Sequence, residues 1–116
     1  ELPSCLPAVD AAEGILAAGN LAIEGKRPQA ALRHFSRALA LDERPETRFN
    51  VGMTLLLLGE RESGYAQLVH AVKLNPAVFK RIVDPDLARA LRMRLDADGY
   101  GLRHPWVCHD TPAAQP

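Results

Sequence analysis

The sequence predicts an all-α protein, built from antiparallel helical hairpins stacked as a short α-solenoid. Three observations carry that expectation. Every long segment repeats its apolar residues at the helical period, and none alternates at period two as a half-buried strand would. Glycine and proline fall where helices should stop or start, at Gly25, Pro28, Gly59, Asn75-Pro76 and Asp84-Pro85. The chain also resembles itself at an offset of 33 residues: Gly19 falls on Gly52, Phe35 on Leu68, Ala38 on Ala71 and Leu41 on Leu74.

Residues 1–8 hold Pro3 and Pro7 and read as an irregular lead-in. The first helix runs from Val9 to Glu24, with one apolar row at Val9, Ala12, Leu16, Gly19 and Ile23 and a second at Ile15, Ala18 and Ala22. A helix apolar on most of its surface packs on two sides. Gly25 reads as its C-terminal cap. Pro28 opens the second helix, where its missing N–H has no intrahelical partner to lose. That helix reaches Leu41, with Ala31, Leu32, Phe35, Ala38 and Leu39 inward and Gln29, Arg33, Ser36 and Arg37 outward.

Asp42 to Pro45 reads as a break, and the third helix spans Glu46 to Leu58 up to Gly59. The fourth covers Glu62 to Leu74, burying Tyr65, Leu68, Val69 and Val72 and exposing Ser63, Gln67, His70 and Lys73. Asn75-Pro76 ends it, since a residue before proline is pushed out of the helical region. A short helix is expected over Ala77–Ile82. Asp84-Pro85 is an N-cap followed by a first-turn proline, opening a helix over about 84–96 with the stripe Leu87, Leu91 and Leu95. The helical domain thus covers 9–98, and residues 99–116 read as an extended tail.

The 116 residues suit one domain, and 47% apolar with 24% charged residues match ordinary globular proteins, which excludes collagen-like and disordered chains. Fourteen basic and 14 acidic residues cancel, which argues against a bulk electrostatic nucleic-acid binder. Apolar runs such as Leu55–Leu58 fall far short of the roughly 20 residues a membrane span needs. No direct membrane insertion is expected.

The start Glu1-Leu2-Pro3 fits a mature form left by removal of an export signal, or an excised piece. Cys5 and Cys108 lie near opposite ends, each in a proline-containing stretch. In an oxidising compartment they would form one disulfide worth roughly 4–5 kcal/mol of loop-closure entropy. In the cytoplasm they would be two free thiols. Arginine outnumbers lysine 11 to 3, a hint of a GC-rich bacterial source. Export to a bacterial periplasm, with the disulfide formed, is the expectation; a cytoplasmic location is the alternative.

The first unit reads Ile15-x-x-Ala18-Gly19-x-x-Ala22, then Ala31-x-x-x-Phe35-x-x-Ala38. The second reads Arg48-x-x-Val51-Gly52-x-x-Leu55, then Gly64-x-x-x-Leu68-x-x-Ala71, ending at Asn75-Pro76. This pattern resembles the tetratricopeptide repeat family over residues 12–78, as repeats 12–44 and 45–78, with the helix at 84–96 as a degenerate third unit or a cap. Small residues at Gly19, Gly52, Ala38 and Ala71 suit close helix crossings, and Phe35 and Leu68 are expected to fill the wedge between hairpins. Three departures stand out. Ile15 and Arg48 occupy the place of the usual aromatic, Gly64 replaces the usual alanine, and Gly19 to Gly25 is one residue shorter than Gly52 to Gly59. Two repeats rarely bury enough by themselves, so a cap, the segment Leu2–Pro7 or a second copy of the chain is expected to cover the open faces.

The resemblance implies a non-enzymatic module that binds another protein or peptide segment in a concave groove lined by the first helix of each pair. Here the groove would hold Glu13, Leu16, Asn20, Ile23 and Glu24, then Phe49, Met53, Leu56 and Leu57. That lining is apolar and suits side-chain burial of a partner, during assembly of a bacterial envelope or secretion-type complex. A carboxylate clamp is disfavoured, because Leu16 and Phe49 stand where such clamps carry polar groups and only Asn20 remains. The alternative is a structural subunit whose apolar faces are buried by self-association, as in a homodimer.

Other chemistry is thin. The segment 79–103 carries six basic and four acidic residues, and Arg89 and Arg92 share a helix face, an expected patch for an acidic partner against the default of a solvated face. Asp96-Ala97-Asp98-Gly99 lacks the remaining oxygen ligands of a calcium loop. His104, Cys108 and His109 match no zinc spacing, and Cys108 beside His109 in sequence is no nucleophile–base pair. No phosphate loop or hydrolase elbow is present. No catalytic residue, metal or cofactor is expected.

Overall fold

Among the described residues three α-helices begin on a proline, at Pro28, Pro45 and Pro85. A proline at the first helical position supplies the helical φ in advance and gives up an N–H that had no partner there. The computed structural model describes residues 8–100, with side chains from residue 11 onward. Among the described residues the protein is all-α: α1 is Ala8–Glu24, α2 Pro28–Leu41, α3 Pro45–Leu57, α4 Arg61–Leu74 and α5 Pro85–Ala97, with a 3-10 helix at Pro76–Arg81 between α4 and α5. Pro45 belongs to α3 rather than to the break before it, a one-residue correction that follows from the same N-terminal preference. The chain falls into two compact units, one up to Arg81 and one from Ile82 onward.

In the first unit α1 packs on α2, α3 packs on α4, and α2 joins the two hairpins through α3. The hairpins close in the same way, bond for bond. After α1, the Arg27 N–H donates to the Ala22 carbonyl at 2.8 Å and Lys26 N–H to Ile23 at 3.0 Å. Thirty-three residues on, Glu60 N–H donates to Leu55 at 2.9 Å and Gly59 N–H to Leu56 at 3.0 Å. Both are Schellman turns, which need one residue in the left-handed region. That residue is Lys26 in the first turn (φ 62°) and Gly59 in the second (φ 87°). Gly25 is therefore not the left-handed cap, and the expected one-residue shortening of the first unit does not exist.

The far ends of the hairpins match as well. Asp42 follows α2 with φ −155° and ψ 96°, its N–H bonded to Ala38 O. Asn75 follows α4 with φ −152° and ψ 100°, its N–H bonded to Ala71 O. Ala38 and Ala71 are both fully buried at the crossings.

Glycine decides how closely each hairpin packs. A Cβ placed on Gly19 would lie 2.5 Å from the Phe35 ring, and one on Gly52 would lie 2.8 Å from Leu68 Cγ. Phe35 and Leu68 thus sit on the glycines of their own hairpins, and Phe35 also shares a core cluster with Ala22, Ala31 and Val51. In the second hairpin Gly64 faces Gly52: a Cβ there would be 3.0 Å from the Gly52 carbonyl and 2.8 Å from Leu56. Gly64 is therefore a packing requirement rather than only the helix-weakening residue the sequence suggests.

The translation stops after Asn75. A third unit would continue as an α-helix, but Pro76–Arg81 tightens into a 3-10 helix that packs on α4 and α3, with Val78 buried. It stands where the sequence predicts a short helix over Ala77–Ile82. In the second unit, the Asp84 side chain accepts from the Asp86 N–H at 3.0 Å, the N-cap expected from Asp84-Pro85. Along α5, Leu91 and Leu95 are buried, and Gly99 follows with φ 81°.

Candidate partner-binding face

The residues expected to line a groove fall into three groups. Leu16 and Ile23 of α1 are half-buried and pack against the core cluster that Val51 joins from α3. They border the hydrophobic core and show only part of their surface. Phe49 is further in, and Leu56 is half-buried. Phe49 is 6% exposed, with the Arg81 guanidinium 5.4 Å above its ring, a cation–π contact that seals it. Leu56 turns toward α4, where it occupies the space left free by Gly64. Phe49 thus lies inside the packing, away from the surface that the sequence assigns it to, whereas Leu56 is only half-buried.

Asn20, Met53 and Leu57 form the third group. Asn20 is exposed, Met53 half-buried and Leu57 65% exposed. Asn20 and Met53 are 33 residues apart, and Glu24 and Leu57 are as well, so these four occupy equivalent places on the first helices of the two hairpins. Met is a flexible, polarisable contact and Leu57 an unspent apolar one.

An ionic seam that sequence reasoning missed runs along the loop between α2 and α3. Arg44 donates to Glu13 of α1 at 2.8 Å and to Asp42 at 2.6 Å. The hydrogen bond to Glu13, then the one to Asp42, hold the Arg44 guanidinium above its ordinary pKa. Arg48 donates to Gln67 of α4 at 2.8 Å and pairs with Glu43. Arg48 stands where the resemblance wants an aromatic, and its polar head ties α3 to α4 and to the loop instead. No residue-type rule flags this: the partners are 19 and 31 residues apart in sequence. Thr47 and Thr54, whose polar type gives no sign of burial in the sequence, are 1% and 2% exposed. The Thr54 hydroxyl donates to the Asn50 carbonyl one turn back at 2.7 Å, which satisfies it without an external partner.

On α5, Arg89 is exposed and pairs with Asp86 at 3.2 Å, an i,i+3 contact of small stability value. Arg92 is half-buried and Met93 beside it is 65% exposed. Asp96 and Ala97 belong to α5 itself and Asp98 is its C-cap, so the Asp96–Gly99 stretch is a helix end. Among the described residues no group of three or more His, Cys, Asp or Glu is placed to hold a metal ion, and no helix is long and apolar enough to cross a membrane. Cys5, His104, Cys108 and His109, with the segment Leu2–Pro7 and the tail after Tyr100, lie outside the described residues. No protein-family model matches the chain, and no curated protein or solved structure matches it.

Proposed function

We propose that this chain is a non-enzymatic protein-interaction module, similar to a tetratricopeptide hairpin pair, that holds an apolar segment of a partner polypeptide against its first helices. The observation that carries the reading is the 33-residue register of Asn20 with Met53 and of Glu24 with Leu57 on α1 and α3. It supplies two equivalent contact rows, one polar and one apolar, on matching helices. Leu16 and Ile23 contribute the part of their surface that the core leaves open. The setting that best fits a Cys5–Cys108 disulfide is an exported protein in the assembly of a bacterial envelope or secretion-type complex.

Met53→Glu combined with Leu57→Glu tests this. Both side chains are at least partly exposed, so helical content should hold while partner capture from extract of the native source is lost. Retention of the same partner by the double variant would refute the assignment. A second reading, self-association, draws on the 65% exposure of Leu57 and the 63% exposure of Leu21. A light-scattering mass of two protomers for the wild-type chain, lost in the double variant, would favour it.

A further inference from the structure

The 33-residue translation also identifies a face that is covered in one hairpin and open in the other. On α3, Thr47, Asn50 and Thr54 lie along one stripe, with exposures of 1% and 2% for the two threonines, and Asn50 is half-buried. α3 meets the first hairpin through α2. The equivalent stripe on α1 is Gly14, Ala17 and Leu21. All three are exposed, Leu21 at 63%, and a Cβ on Gly14 would meet nothing within 4 Å. The same helix position is therefore buried on α3 and open on α1.

We propose that the Gly14–Ala17–Leu21 face of α1 receives a basic amphipathic helix from a partner protein. Charge selects the occupant. α1 carries Asp10, Glu13 and Glu24 and no basic residue, whereas α2 carries Arg33 and Arg37 and no acidic one. Glu13 already engages Arg44 with its side chain 61% exposed, and Glu24 is exposed. A second copy docking α1 against α1 would bring two helices that carry acidic and no basic residues together, like charge against like. A second copy stacking head to tail would have to offer α4, but Tyr65 and Val72 there, the equivalents of Leu32 and Leu39 on α2, are 5% and 0% exposed, and the 3-10 helix packs on α4. Small side chains at Gly14 and Ala17 let an incoming helix approach, and Leu21 supplies the apolar anchor.

The probe is a helix-stapled, fluorescein-labelled peptide of the α2 sequence, residues 28–41, titrated with the full chain and followed by anisotropy. Saturable binding is expected. Ala17→Asp with Leu21→Asp should weaken it by about tenfold or more at unchanged circular dichroism, both sites being exposed. A peptide with Arg33 and Arg37 changed to Glu should bind about fivefold weaker or less well still. The Met53→Glu, Leu57→Glu variant should bind the peptide unchanged, which keeps this outcome separate from the fate of the groove. No binding, or binding indifferent to the α1 double variant, would overturn the proposal. So would a wild-type dimer that the α1 variant converts to a monomer, since a second copy would then be the occupant.

Discussion

The two hairpins of the first unit share their bonds and differ in their side chains. Both close on a Schellman turn and both end on an extended cap bonded to a buried alanine. In the first, a Phe ring lies on one glycine and Ala31 stands at the equivalent of Gly64. In the second, a smaller Leu lies on Gly52, and a second glycine, Gly64, faces it across the α3–α4 contact. The same backbone geometry is thus reached by two volume arrangements: one large ring with one glycine, or a smaller aliphatic with two. Interiors at crystal-like density allow such exchanges only when total volume is kept.

That comparison can be broken at its largest element first. Phe35→Ala removes a ring that is 2% exposed and should cost about 3–5 kcal/mol by urea unfolding. Gly52→Leu comes next, at about 2–3 kcal/mol, because the new side chain meets both Leu68 and the Gly64 carbonyl. A silent Gly52→Leu would discredit the equivalence of the two units. Gly64→Ala sets two effects against each other. Helix propensity favours alanine by up to about 1 kcal/mol, while overpacking costs about 1–3 kcal/mol. The Gly52 carbonyl is backbone and cannot step aside, so a net loss of about 1 kcal/mol is expected in thermal melts. Alanine at 64 proving more stable would mean that glycine there is not a packing requirement of the second hairpin.

The smallest effects carry opposite signs. Lys26 holds a left-handed φ that costs a side-chain-bearing residue roughly 1 kcal/mol. Lys26→Gly should therefore stabilise by about 0.5–1 kcal/mol, even though glycine also gains freedom in the unfolded chain. Gly59→Ala at the equivalent place should destabilise by about 1 kcal/mol. Equal signs at the two sites would separate the turns.

Helix ends were legible in the sequence because proline and glycine act locally: Pro28, Pro85 and Asn75-Pro76 each mark the boundary found in the structure. Lys26 was not legible. The left-handed position normally announces itself as glycine, and Gly25 stood one residue too early. The offset of 33, applied strictly from Gly59, would have found it. The face assigned to binding was legible in part. Spacing places Asn20, Met53 and Leu57 on accessible turns, but burial of Phe49 depends on Arg81 beyond the end of α4, and the direction of Leu56 depends on Gly64. Both are long-range facts that a helical wheel does not contain. Burial of Thr47 and Thr54 was not legible because polar type suggests a wet position, and the Thr54 hydroxyl, bonded to its own helix, needs none.

The account rests on one repeated contact, and nuclear Overhauser spectroscopy on the labelled chain reads it directly. It predicts cross-peaks from Gly19 Hα to the Phe35 ring and, 33 residues on, from Gly52 Hα to the Leu68 methyls. Finding the first pair without the second, in a chain whose helices are intact, would contradict it.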